Sequence, residues 1–126
     1  MNEQCFRLLI VEDDHDTRRL LQELLQVEGF EVQTASDGRE ALNVLNRSPA
    51  PDIILLDLMM PYMTGWEVVA EVRKVQRLAG IPIVVISSLA DKRAHLPSGV
   101  VAIPKPFRML EIKQALARLL PAYVCT

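Results

Sequence analysis

Four apolar residues, Ile53, Ile54, Leu55 and Leu56, run without interruption into Asp57, and Pro61 follows shortly after. Such a run buries both faces of an extended segment, the pattern of a strand inside a parallel sheet that is covered on both sides. Asp57 then stands at the carboxyl end of that strand, on the edge where open α/β sheets place their ligands. A charge directly after four buried residues has two readings. Either the chain is leaving the core, or the carboxylate is a nucleophile or metal ligand.

The remainder of the chain repeats the same unit. Phe6 to Val11 predicts a first buried strand, ending in Glu12-Asp13-Asp14-His15-Asp16. A helix follows with Asp16 as its N-cap, with Leu20, Leu21, Leu24, Leu25 and Val27 as its apolar face and Gly29 as its terminator. Glu31 to Ala35 alternates polar and apolar residues, as a half-exposed edge strand does. Asp37 and Glu40 have capping-box spacing ahead of a second helix that buries Ala41, Leu42 and Leu45. Thr64 and Glu67 repeat that spacing ahead of a third helix with Val68, Val72 and Val75 on one face, ended by Gly80. Ile81 to Ile86 predicts a fourth strand, with Ser87 and Ser88 at its end, and Val100 to Ile103 a fifth. About a dozen residues separate these two strands, and Pro97, Ser98 and Gly99 use some of them. The fourth helix is therefore shortened to about two turns. Lys105-Pro106 follows the last strand. A closing helix runs from about Phe107, with Met109, Ile112, Leu116 and Leu119 on one side, until Pro121 stops it.

Alternating units with short connections imply an α/β fold, a doubly wound parallel (βα)5 sheet with helices on both faces. The 126 residues fit a single domain, residues 1–126. A net charge of −2 without a basic block gives no support for direct nucleic-acid binding. No apolar stretch approaches the roughly 20 residues of a membrane span. The first residues lack the basic and apolar regions of a signal peptide, and Cys5 and Cys125 read as free thiols, so a cytoplasmic location is expected.

In a parallel sheet all strand carboxyl ends share one edge. That edge would collect Glu12-Asp13-Asp14, Asp57, Ser87 and Lys105. Carboxylates gathered in a low-dielectric cleft repel one another, and a hard divalent cation relieves the repulsion. Mg²⁺ uses one or two carboxylates, keeps some waters and completes its shell with phosphate oxygens. Lys105 supplies a point charge for a phosphoryl oxygen and Ser87 a hydroxyl donor. Such a set suits phosphoryl transfer onto a carboxylate. Taken singly the pieces are bland: acidic residues at a helix start, a strand-end serine, a surface lysine. Asp14 and Ser88 keep those bland readings. His15 has no spaced partner for a transition-metal site. Met59, Met60 and Met63 read as loop and core packing, as do Tyr62 and Trp66 beside the site.

Together, Val11-Glu12-Asp13-Asp14, Leu56-Asp57-Leu58-Met59-Met60-Pro61-Tyr62-Met63-Thr64-Gly65, Ile86-Ser87-Ser88 and Lys105-Pro106-Phe107 resemble the receiver domain of two-component response regulators. The resemblance covers nearly the whole chain and rests on four pieces in order. It implies a flavodoxin-like sheet of order 2-1-3-4-5. It implies that Asp57 accepts a phosphoryl group from a phosphohistidine of a sensor histidine kinase or a phosphotransfer protein. Mg²⁺ would be held by Asp13, by Asp57, by Glu12 mostly through water, and by the backbone carbonyl of Met59. Ser87 matches the switch hydroxyl and Lys105 the site lysine, with a cis bond to Pro106. An effector domain or a downstream protein would receive the signal.

Two departures stand out. The aromatic residue usual in the last strand is replaced by Ala102 and Ile103, and the fourth helix is short. The phosphorylation chemistry is therefore expected to be intact, while activation moves the segment from Ser87 to Gly99 by another route. Met59 and Leu89, the positions flanking an attacking water, are apolar, which implies slow self-dephosphorylation. Three other classes compete. A phosphorylation-independent interaction module is favoured by the two departures and opposed by the complete site. An aspartate-nucleophile phosphatase would want a second Asp where Met59 stands. A flavin-binding domain would want a phosphate-cradling loop where Glu12-Asp13-Asp14 stands.

Overall fold

The computed structural model describes residues 6–88 and 96–120. Its elements are β1 (Arg7–Val11), α1 (His15–Val27), β2 (Glu31–Ala35), α2 (Gly38–Arg47), β3 (Ile53–Asp57), α3 (Gly65–Lys74), β4 (Ile83–Ser87), β5 (Val100–Pro104) and α4 (Met109–Leu119). The five strands form one parallel sheet of order β2-β1-β3-β4-β5. This is the doubly wound arrangement that the alternating units imply. The shortened helix expected between the last two strands, Leu89, most of the segment expected to move on activation, both cysteines and Pro121 fall wholly or partly outside the described residues.

Successive strand residues point to opposite faces, so one sheet builds two cores. Leu9, Val11, Ile54, Leu56, Ile83 and Val85 pack against Ala41, Leu45, Val68 and Val72 of α2 and α3. Leu8, Ile10, Ile53, Leu55, Val84, Ile86 and Ile103 pack against Leu21, Leu25, Ile112 and Leu116 of α1 and α4. Every residue of β3 and β4 is buried, as expected for strands covered on both sides, whereas edge strand β2 is half-exposed. Each of these fully buried Leu, Ile and Val side chains contributes roughly 1.5–3 kcal/mol from the hydrophobic effect alone.

Several boundaries differ from the sequence-based expectation. Helix α1 is capped by Asp14, not Asp16, because the Asp14 carboxylate accepts from Thr17 N (2.9 Å) and Thr17 Oγ1 (2.6 Å). Its buried stripe is narrower than the sequence suggests: Leu21 and Leu25 face the sheet, while Leu20 and Val27 are exposed. Strand β4 begins at Ile83 and takes in Ser87, and β5 extends to Pro104. Helix α3 ends at Lys74, and turns carry the chain from there to Gly80. Helix α4 starts at Met109, where the Glu111 carboxylate accepts from Arg108 N at 2.9 Å. Thr64 and Glu67 form a reciprocal capping box at α3. At α2 only half of one forms: Asp37 accepts from Glu40 N, but the Glu40 carboxylate turns to Ser36 N instead.

Candidate functional site

The carboxyl ends of β1, β3 and β5 border an open cavity of about 550 Å³. It is lined by Glu12, Asp13, Asp14, Thr17, Asp57, Met59, Lys105, Pro106 and Phe107. Backbone register brings these residues together. Glu12 N continues the sheet ladder by donating to Ala35 O (3.1 Å), so Glu12 leaves β1 in a fixed direction. Its carbonyl accepts from Arg18 Nη1 at 2.9 Å, and its carboxylate accepts from Asp14 N at 3.1 Å. Three contacts thus hold a residue that is only 3% exposed.

Asp57, the last residue of β3, is also buried. Lys105 Nζ lies 3.0 Å from its Oδ1, and Met59 N donates to the same oxygen at 3.2 Å. Glu12, Asp13 and Asp57 each offer a carboxylate oxygen within 4.8 Å of the others. The consequence shows at Glu12. Burial, aided by the negative charge of Asp57, pushes its carboxyl group up to about 8, against the lowering effect of the Asp14 amide. Among the described residues, Lys105 is the one cation at the cavity wall against four carboxylates. A cluster that keeps a glutamic acid protonated near neutral pH is a site that a small, hard divalent cation would complete.

Of the other residues nominated from sequence, Ser87 ends β4 at the same edge and is 9% exposed. Its neighbour Ile86 is the register partner of Asp57, and the Ser87 carbonyl accepts from Lys105 N at 2.7 Å. Ser87 is not among the residues that line the cavity. Met59 lines the cavity and is 60% exposed, so it is a rim residue, not core packing. Met60 and Met63 do join the core. The Lys105–Pro106 bond is cis. His15 turns to Asp16 at 3.5 Å and stays outside the acidic cluster.

The loop from β3 to α3 closes tightly on Asp57. Gly65 N donates to Leu58 O at 3.0 Å. A Cβ on Gly65 would lie 2.6 Å from Leu58 Cδ2 and 2.8 Å from Asp57 O. Within the loop, Met63 N donates to Pro61 O at 2.7 Å across Tyr62, whose φ is +69°. That is the strained form of the γ-turn, and a left-handed conformation costs a non-glycine residue about 1–2 kcal/mol. Tyr62, expected to pack, is instead 78% exposed, and Arg39 Cζ stacks 4.3 Å from its ring centroid. Such a stack returns about 0.5–1 kcal/mol at an exposed site. The sequence reading missed Thr17, Arg18 and Arg39. The Asp14-x-x-Thr17 spacing is an N-cap signature that could have revealed the first. Nothing local reveals the through-space partners of the other two.

Residues 8–117 match the family described as Response regulator receiver domain. The chain is 39% identical over 110 residues to the transcriptional regulatory protein CpxR homolog of Haemophilus influenzae, covering 84% of this chain and 46% of that protein. It is 37% identical over 118 residues to the sensor histidine kinase TmoS of Ectopseudomonas mendocina, covering 90% of this chain and 12% of that one. Among solved structures it resembles the response regulator protein TrrA of Thermotoga maritima, determined in complex with Mg²⁺-BeF. The TM-score is 0.80 and the identity 34%, over 91% of this chain and 99% of that chain. The chain spans about half the length of most of the curated relatives it matches. Among the described residues no helix is long and apolar enough to cross a membrane.

Proposed function

This chain belongs to the response regulator receiver domain family, whose members are phosphoacceptor signalling switches and not turnover enzymes, and we propose that Asp57 is its phosphoacceptor. The donor we infer is a phosphohistidine on a sensor histidine kinase or a phosphotransfer protein. The observation that carries this reading is the Lys105 ammonium at 3.0 Å from a buried Asp57 carboxylate that also shares its cleft with Glu12 and Asp13.

In the step proposed, an Asp57 carboxylate oxygen forms a bond to phosphorus while the nitrogen–phosphorus bond of the donor breaks. The imidazole leaves with the electron pair. Met59 N and Lys105 Nζ both meet Asp57 Oδ1, which fixes the plane of the carboxylate before the donor arrives. Lys105 can follow the charge onto the phosphoryl oxygens, because its ammonium is held at the cavity wall by a flexible stem. Ser87 is assigned the hydroxyl that meets the phosphoryl group after transfer, from its place beside the β4 partner of Asp57. The acidic cluster fits Mg²⁺, and Glu12, Asp13 and Asp57 would hold it together with the backbone carbonyl of Met59. When bound, that ion neutralises the carboxylates and the incoming phosphoryl oxygens. An effector domain or a downstream protein in the cytoplasm is the inferred recipient, with no direct contact to nucleic acid or membrane.

Incubation with acetyl phosphate, with and without Mg²⁺, followed by intact mass measurement tests the proposal. The expected result is a gain of one phosphoryl group that requires Mg²⁺ and is lost in Asp57→Asn. No gain in the parent chain would favour a phosphorylation-independent interaction module.

A further inference from the structure

Tyr62 sits in the left-handed region, where a bulky side chain is a rare occupant, and something outside the turn must hold it there. The N-terminus of α2 makes two successive contacts with the loop. Gly38 lies so close that a Cβ there would meet Met63 Cβ at 2.9 Å and Val68 Cγ2 at 2.7 Å. The next residue, Arg39, stacks on the Tyr62 ring at 4.3 Å. Arg39 gains nothing from its own helix, since a cation in the first turn meets the positive end of the helix dipole. Its contact with Tyr62 is the compensation. The loop it touches carries Met59, whose amide bonds Asp57 Oδ1, and ends at Gly65, packed on the Asp57 carbonyl.

We propose that Arg39, acting through Tyr62, is a positioning residue for the acidic site: it holds the β3–α3 loop in its strained turn and so keeps the Met59 backbone on Asp57. The inference rests on the reading of that cluster as the metal and phosphoryl site.

Two measurements on the whole chain test it. In metal-free protein, amide exchange at Met59 and Met63 is expected to rise about threefold in Arg39→Ala, the size of one exposed cation–π contact. Arg39→Ala combined with Tyr62→Gly should return to the parent rate, because glycine adopts positive φ without needing the stack. In parallel, Mg²⁺ is titrated against the emission of Trp66, the single tryptophan, which stands in the first turn of α3. Arg39→Ala should weaken Mg²⁺ binding about threefold, and Tyr62→Gly should restore it. Removing a positive charge would by itself tighten cation binding, so the sign separates positioning from charge. Unchanged exchange in Arg39→Ala, tighter Mg²⁺ binding, or no rescue by Tyr62→Gly would overturn the proposal. If the parent chain fails to bind Mg²⁺, the reading of the site fails, while the exchange measurement still decides the role of Arg39.

Discussion

Lys105 Nζ stands 3.0 Å from Asp57 Oδ1, pairing a partly exposed ammonium from the end of β5 with a carboxylate buried at the end of β3. The two residues lie far apart in sequence and on strands that flank β4. Lys105 and a cation held by the acidic cluster would compete for this same carboxylate.

Lys105→Met should separate two properties. Without the ammonium, Asp57 is fully available to a cation, and Mg²⁺ should bind several-fold tighter (about threefold to tenfold). Phosphorylation by acetyl phosphate should slow at least about tenfold, since the phosphoryl charge loses its partner. Stability of the metal-free chain should fall by about 1–2 kcal/mol, a figure reduced for the exposure of the lysine. Mg²⁺ titration, phosphorylation rates and urea unfolding check the three parts.

The metal-free chain should lose stability as pH rises. Glu12 titrates near 4.5 when unfolded and near 8 when folded, so across that window the folded chain holds a proton that the unfolded chain has released. The stability therefore falls from about pH 5 to about pH 8, and no further contribution changes below 4.5, where both states are protonated. Glu12→Gln should flatten the slope. Urea midpoints in the presence of a chelator would show it, and an unchanged slope in the variant would refute the assignment to Glu12.

Gly65→Ala should damage both fold and site. The added Cβ would lie 2.7 Å from Leu58 Cα and 2.8 Å from Asp57 O, and backbone atoms cannot swing aside. A loss of about 1–3 kcal/mol is expected, the range for overpacking, with slower phosphorylation at Asp57. Gly80→Ala, where the added carbon meets nothing within 4 Å, is the control and should cost much less.

Met59→Asn should shorten the life of the phosphorylated state. Met59 lines the cavity and is 60% exposed, so a polar amide there can orient a water that a thioether cannot. Decay of the phosphoryl group by intact mass should be severalfold faster than in the parent chain. An equal decay rate would show that Met59 does not limit water.

Much of this site was readable from local pattern. Apolar runs buried on both faces announced β3 and β4, short connections announced parallel strands, and parallel strands put Glu12, Asp13, Asp57 and Lys105 on one edge. Capping signals were less faithful, because Asp14, Asp16, Asp37 and Glu40 are all chemically able to cap and only backbone direction chooses among them. Thus Asp14 took the place expected for Asp16, and Glu40 bonded Ser36 N in place of the Asp37 backbone. Leu20 and Leu21 look alike in sequence, yet they stand about 100° apart around α1, and the side that meets the sheet buries Leu21 and leaves Leu20 exposed.

Periodicity and connection length are properties of neighbouring residues, and they suffice to order the strands into βα units and to assign the acidic edge. The proton held by Glu12, the stack of Arg39 on Tyr62, the fit of Gly65 against Leu58 and the position of Ser87 off the cavity wall are of another kind. Each depends on a distance or a burial set by groups brought together from separate elements or across a closed loop. Electrostatic and packing energies change steeply with such separations, and no local pattern encodes them.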